Sequence, residues 1–262
     1  MKNLIKAQLY QISHTRVYYL VFAAMMLLSA LFGAVEYLNG SDSLEEWQKL
    51  TASDFATRID TIVTLSMMGM TFFAAYFCAD DFSDKTANYE MMSGRLRKQA
   101  YFARASVSIV MCTLFGLIMV FTSLGVSYIL NGWGDSVPFS AVAIRILLLT
   151  FPFIRLSCLY VMIAFFIRRS GLSFLAFYGL MSVVSILKAA DDDSGVLTAF
   201  SSIGKLMKYN EWHIFGLESG VEVVYTPMPE AGFIVRCIIV SLAVGALYLV
   251  IGYNFFHSDD LE

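Results

Sequence analysis

Six apolar runs, each of 18 residues or more and separated by polar connectors, constrain this 262-residue chain more than anything else in it. About 20 residues at a rise of 1.5 Å cross a hydrocarbon core of about 30 Å, so each run is long enough to be a membrane-spanning helix. The runs are Val17 to Tyr37, Ile59 to Ala79, Ala105 to Leu130, Val142 to Ile167, Ser170 to Leu187 and Phe233 to Phe255. Charged residues make up 15% of the chain, against about 25% for a soluble domain, and the mean hydropathy is +0.67. One such run also suits a buried helix of a soluble core; six in one chain count against that reading. The expected fold is therefore all-α, a polytopic membrane protein with six transmembrane helices in one domain, residues 1–262.

Orientation follows from the Lys and Arg bias of the connectors. With the N-terminus in the cytoplasm, the inner segments 1–16, 80–104, 168–170 and 256–262 hold ten basic residues. The outer segments 38–59, 131–141 and 188–232 hold five, together with twelve of the 21 acids. Both termini are then cytoplasmic. The first run is longer than the apolar part of a signal peptide and is read as a retained span. Cys78, Cys112, Cys158 and Cys237 all lie in or at the ends of runs, which leaves no disulfide framework for an outer loop. No His and Cys residues have metal-ligand spacing, and His14, His213 and His257 are scattered.

The connectors carry their own patterns. In residues 1–16, Met1, Leu4, Ile5, Leu9 and Ile12 recur at three- and four-residue spacing, the pattern of a basic amphipathic helix lying in the membrane interface. It serves either as a topology anchor or as an elbow that passes movement to the first span. In the first outer loop, Leu44 to Trp47 predict a short interfacial helix anchored by Trp47. Residues 196–216 of the last outer loop (188–232) mix apolar and polar positions at near-helical spacing and predict one or two short helices, ended before the sixth span by Pro227 and Pro229.

The connector Asp80 to Arg104 is basic and broken once by Gly94. Asp80, Asp81 and Asp84 suit a helix N-terminus. A short helix from about Asp84 to Ser93 aligns Phe82, Tyr89 and Met92 along one side, and exposed apolar residues on a connector need a partner surface. Gly94 permits a left-handed C-cap. A second helix from Leu96 is expected to run into the third span.

With these features the chain resembles the membrane subunit of a type-2 ATP-binding-cassette (ABC) exporter. The motif residues are Asp81-Phe82, Thr86, then Gly94 and Arg97, the aromatic Tyr101, and Arg104. Lys85 stands where this family usually has Gly, and Ala100 precedes the aromatic residue. The resemblance implies six spans, an N-terminal interfacial helix and a cytoplasmic coupling helix in which Phe82, Thr86, Tyr89, Glu90, Met92, Gly94 and Arg97 contact an ATPase. It also implies a second permease, identical or a paralogue, and two copies of the ATPase subunit. The chain has no G-x-x-x-x-G-K-[ST] phosphate loop, so ATP and Mg belong to the partner and no cofactor is expected here. The expected cargo is an amphipathic or hydrophobic compound, such as an antimicrobial-type peptide, a lipid-like molecule or a drug, exported across a bacterial plasma membrane. Membrane lipid is the other expected contact, and nucleic acid is not.

Charged residues inside spans are costly and are candidates for function. Arg155 lies 13 residues from Arg168, about 20 Å from the inner boundary at 1.5 Å per residue. Pro152, one turn earlier, is expected to kink the helix. Arg155 either pins that kink or lines a substrate path or gate. Glu36, Asp60, Arg145 and Arg236 lie near outer ends and are read as solvated rim residues. A secondary transporter driven by an ion gradient is the competing class, although the two halves of the chain show no convincing repeat. An intramembrane enzyme ranks behind both, since no paired acids or Ser/His constellation sits in the runs.

Overall fold

The computed structural model describes residues 2–41, 51–57, 60–79, 96–135, 137–190, 198–214, 221–225 and 228–258. In chain order the elements are α1 (Lys2–His14), α2 (Arg16–Ser41), α3 (Ala52–Thr57), α4 (Asp60–Ala74) continued by a π-helical turn (Ala75–Ala79), α5 (Arg97–Asn131), α6 (Phe139–Leu148), α7 (Thr150–Ile167), α8 (Ser170–Ala190), α9 (Ala199–Met207), strands β1 (Asn210–Ile214) and β2 (Val221–Tyr225), and α10 (Ala231–Ser258). The described residues are thus helical apart from one antiparallel ribbon, in which Asn210 pairs with Tyr225 and Ile214 with Val221.

Five helical stretches are long and apolar enough to cross a membrane: Arg16–Ala34, Ile62–Ala79, Arg97–Asn131, Phe139–Ile167 and Ala231–His257. The expected fifth span coincides with α8, whose qualifying apolar stretch, Ser170–Val184, is shorter. α4, α5 and α7 form the centre of the molecule. α5 packs along α2, α4 and α7, and α10 lies along α7. Burial follows this order. In the apolar stretch of α4 and its π turn 72% is buried, against 17% in α10 and 11% in α2. The outward sides of α2 and α10 expose Leu20, Leu27, Ile239 and Leu247. So much contiguous apolar surface is foreign to a protein surrounded by water.

Small residues set the closest approaches, as expected where packing rather than water exclusion drives helix association. A Cβ on Gly33 of α2 would lie 2.7 Å from the Ser123 carbonyl oxygen of α5. One turn earlier the buried Ser29 hydroxyl donates to the Met119 carbonyl at 2.6 Å. α10 meets α7 at Gly245, which faces Cys158, at Gly252, which faces Met162, and at Phe256, whose ring lies 5.5 Å from that of Phe165.

Local chemistry explains the ends and breaks. Thr51 and Asp54 cap α3 reciprocally: the Thr51 hydroxyl donates to Asp54 Oδ2 at 2.7 Å, and the Asp54 amide approaches Thr51 Oγ1 at 3.5 Å. α3 then docks on the end of α5, with the Ala52 and Ser53 amides donating to the Gly132 and Trp133 carbonyls. The fourth expected span is two helices joined at Leu149, which keeps right-handed helical angles (φ −59°, ψ −19°). Pro152 lacks the N–H that would bond the Leu148 carbonyl, so the ladder is interrupted one turn before the proline. Arg168 closes α7 in the left-handed region (φ 57°), and its amide bonds Ala164 at 3.0 Å. That places the Arg168–Arg169 pair in the tight turn leading to α8.

One expectation is corrected in part. Of the region expected to hold one or two short helices, residues 199–207 are helical, whereas 210–214 form a strand paired with 221–225. The helix expected over Leu44 to Trp47 lies outside the described residues, and α3 follows it in the chain.

Candidate functional site

Phe82, Thr86, Tyr89, Glu90, Met92 and Gly94 lie outside the described residues. The structure does describe where that connector enters and leaves the helical body. It leaves from the π turn Ala75–Ala79, whose Ala75, Phe77, Cys78 and Ala79 are buried. Such turns are rare and recur at functional sites. It re-enters at Leu96, whose extended backbone (φ −68°, ψ 131°) precedes α5. The helix expected from Leu96 therefore exists, and it continues without interruption into the third span.

The first two turns of α5 are tied to the C-terminal ends of α7 and α10. Arg97 Nη1 donates to the His257 carbonyl at 3.3 Å. One turn on, the fully buried Tyr101 donates its hydroxyl to the Leu249 carbonyl at 2.9 Å. Its ring meets Phe165 of α7 at 4.7 Å between centroids, and Tyr253 and Phe256 of α10 at 5.6 and 5.7 Å. Gly252 makes room for it, since a Cβ there would lie 2.6 Å from the Tyr101 hydroxyl and 3.3 Å from Met162 Cα. Arg104, the last basic residue of the motif, is buried. Tyr101 and Gly252 thus form a joint between the connector and two spans. Sequence reading placed Tyr101 in the motif but not in this joint, because its partners lie 64 to 155 residues further along the chain.

The second cluster surrounds Arg155. Both Arg155 and Pro152 are buried in α7. Arg155 borders a cavity of about 160 Å³ with Leu180 and Val184 of α8, Thr198 and Phe200 at the start of α9, and Tyr248 of α10. Most of the lining is apolar, and Arg155, Thr198 and Tyr248 are its polar residues. The structure brings Arg155 and Pro152 within one turn of each other, and places both far along the chain from the connector.

Arg145 corrects the sequence reading. It was expected on a solvated rim, but only 1% of its surface is exposed. Its Nη1 donates to the Leu206 and Lys208 carbonyls at 2.8 and 2.7 Å, and the guanidinium lies 4.3 Å from the centre of the Tyr209 ring. The final carbonyls of a helix have no partners within it, and a cation there also suits the helix dipole. Arg145 therefore clamps the C-terminal end of α9. At the other end of α9, Thr198 Oγ1 accepts from the Ser201 amide at 3.2 Å. α9 is in this way a fixed element packed on α6, α7 and α8, forming one wall of the Arg155 cavity. The intramembrane-charge rule pointed to Arg145; its nearness to the end of a run hid it. Arg236, read in the same way, is exposed.

A third feature is an apolar cleft of about 420 Å³ between α1, α2, α4 and α5. Among the described residues, no group of three or more His, Cys, Asp and Glu side chains is placed to hold a metal ion. In comparisons with known proteins, no family model matches the chain and no curated protein matches it. The class that fold and sites define is a helical protein with five helices able to cross a membrane, a cavity holding a buried arginine, and a polar connector anchored to the helical body at both of its ends.

Proposed function

We propose that the chain is the membrane subunit of a type-2 ABC exporter. It lies in a bacterial plasma membrane with both termini inside, α8 serves as the remaining span, and α1 lies in the inner interface. It works as a pair of permeases resting on two ATPase subunits that bind ATP and Mg. Its cargo is amphipathic or hydrophobic. The observation that carries this reading is the joint at the start of α5. A force applied by a partner to residues 82–93 enters α5 at Leu96 and reaches α7 and α10 through Tyr101, and α10 through Arg97 as well. The π turn at the other end of the connector gives α4 a mechanically distinct terminus. Arg155 and its cavity then lie on the path or gate that these helices control.

Ion-gradient transport is the second reading, supported by the same buried Arg155, since a deep charge beside a cavity also suits ion coupling. The deciding experiment reconstitutes the chain, with a co-purifying ABC ATPase, into inside-out vesicles. Uptake of an amphipathic fluorescent substrate that needs ATP and survives ionophores supports the exporter. Uptake that needs no ATP and collapses with the ion gradient supports the second reading.

A further inference from the structure

We infer that the cleft between α1, α2, α4 and α5 is a binding site for one acyl chain of an anionic phospholipid from the surrounding leaflet. The inference needs only that these helices lie in a bilayer; it does not need ATP-driven export. The interior of the cleft is apolar and largely aromatic, with Phe22 of α2, Phe73 of α4, Tyr76 of the π turn that continues it, and Met111 and Phe115 of α5 on its walls. Polar groups gather at one end, where α1 turns into α2. There the Tyr19 hydroxyl donates to the Ser13 carbonyl at 3.0 Å, Ser13 Oγ and His14 Nδ1 are 3.0 Å apart, and His14 stacks on Tyr10 with centroids at 3.7 Å. The pattern of one polar end and one apolar body matches an amphiphile lying along a helix.

Charge selects the kind of amphiphile. Lys6 and Arg16 are exposed on either side of this turn, and the first acidic residue of the chain is Glu36. Basic residues close to the bilayer surface favour anionic headgroups.

The α5 wall of the cleft runs from Met111 to Ile118, about 10 Å at 1.5 Å per residue, so part of one extended acyl chain can lie along it.

The test uses the full chain reconstituted in phosphatidylcholine vesicles with trace phosphatidylglycerol or phosphatidylcholine, each carrying a photoreactive group in the acyl chain. Label is expected on peptides containing residues 18–22, 72–76 and 111–118, with phosphatidylglycerol favoured by roughly fivefold for each basic residue engaged. Leu114→Trp, at an exposed wall position, is expected to remove that label, and the control Leu247→Trp on the outer face of α10 is expected to keep it. Lys6→Glu with Arg16→Glu is expected to abolish the headgroup preference while leaving the chain able to label. Equal labelling by the two lipids, or label in the cleft that survives Leu114→Trp, overturns the inference. So does label that falls as the protein is concentrated in the bilayer, which would mean that a second copy fills the cleft.

Discussion

A methyl group at Gly252 would test the joint at the start of α5. The added carbon would lie 2.6 Å from the Tyr101 hydroxyl, well inside contact distance, so the hydroxyl has to retreat. Phe165 at 4.7 Å and Phe256 at 5.7 Å box the fully buried ring, and the Met162 backbone stands 3.3 Å from the new carbon on the other side. Losing the hydrogen bond to Leu249 costs about 1 kcal/mol, and overpacking a tight site adds about 1–3 kcal/mol. The better helix propensity of Ala returns up to about 1 kcal/mol. Gly252→Ala is therefore expected to destabilise the protein by about 1–3 kcal/mol. Tyr101→Phe alone removes the hydroxyl, at a cost of about 1 kcal/mol. In the double variant the methyl group occupies the vacated space, so its cost should fall short of the sum of the singles by about 1 kcal/mol or more. The assay is reversible unfolding in mixed micelles, with the four proteins compared in a double-mutant cycle. Additivity within about 0.5 kcal/mol would refute the joint as described.

Three further outcomes follow from the same geometry. Arg145→Leu leaves the Leu206 and Lys208 carbonyls without their charged donor, so it should cost about 1.5–3 kcal/mol and raise hydrogen exchange over residues 199–208, while Arg145→Lys, which lacks the planar fork, restores only part of the protection. Arg155→Leu should abolish substrate export and leave assembly with the ATPase intact; wild-type export from that variant would remove Arg155 from the pathway. None of Cys78, Cys112, Cys158 and Cys237 is in a disulfide and all are buried, so a water-soluble maleimide should react with none of them in the folded protein and with all four after unfolding. Prompt labelling of Cys237 in the native state would mean that the first turns of α10 are not packed as described.

What could be read from the chain and what could not divide along a physical line. Apolar length located the five helices that are long and apolar enough to span, because crossing hydrocarbon imposes a minimum run of apolar residues whatever the tertiary context. The start of α5 at Leu96 was legible because Gly94 and the change of composition beyond it are local signals. Arg145 was misread because its partners, Leu206, Lys208 and Tyr209, lie more than 60 residues away, and the first two act through backbone carbonyls, which no residue pattern marks. The ribbon was misread although Val221, Val223, Val224 and Tyr225 are residues that favour strands; apolar spacing over 196–216 was weighed instead. The room that Gly252 makes for Tyr101 depends on the approach of two helices joined by most of the chain, so a glycine within a span gave no sign of it. The cleft is likewise a property of how α1, α2, α4 and α5 splay, and each of its walls reads in sequence as an ordinary apolar helix.

The central claim is that energy enters through the connector between α4 and α5. Its most direct test is co-purification of the chain with an ABC ATPase subunit from the same cells, comparing the native chain with Tyr89→Ala, Glu90→Lys and a variant in which residues 82–93 are replaced by a Gly/Ser linker. The account predicts that the native chain retains the ATPase, that the point variants weaken retention, and that the linker variant loses it while still inserting and folding as judged by unchanged cysteine protection. Full retention of the ATPase by the linker variant would contradict the claim.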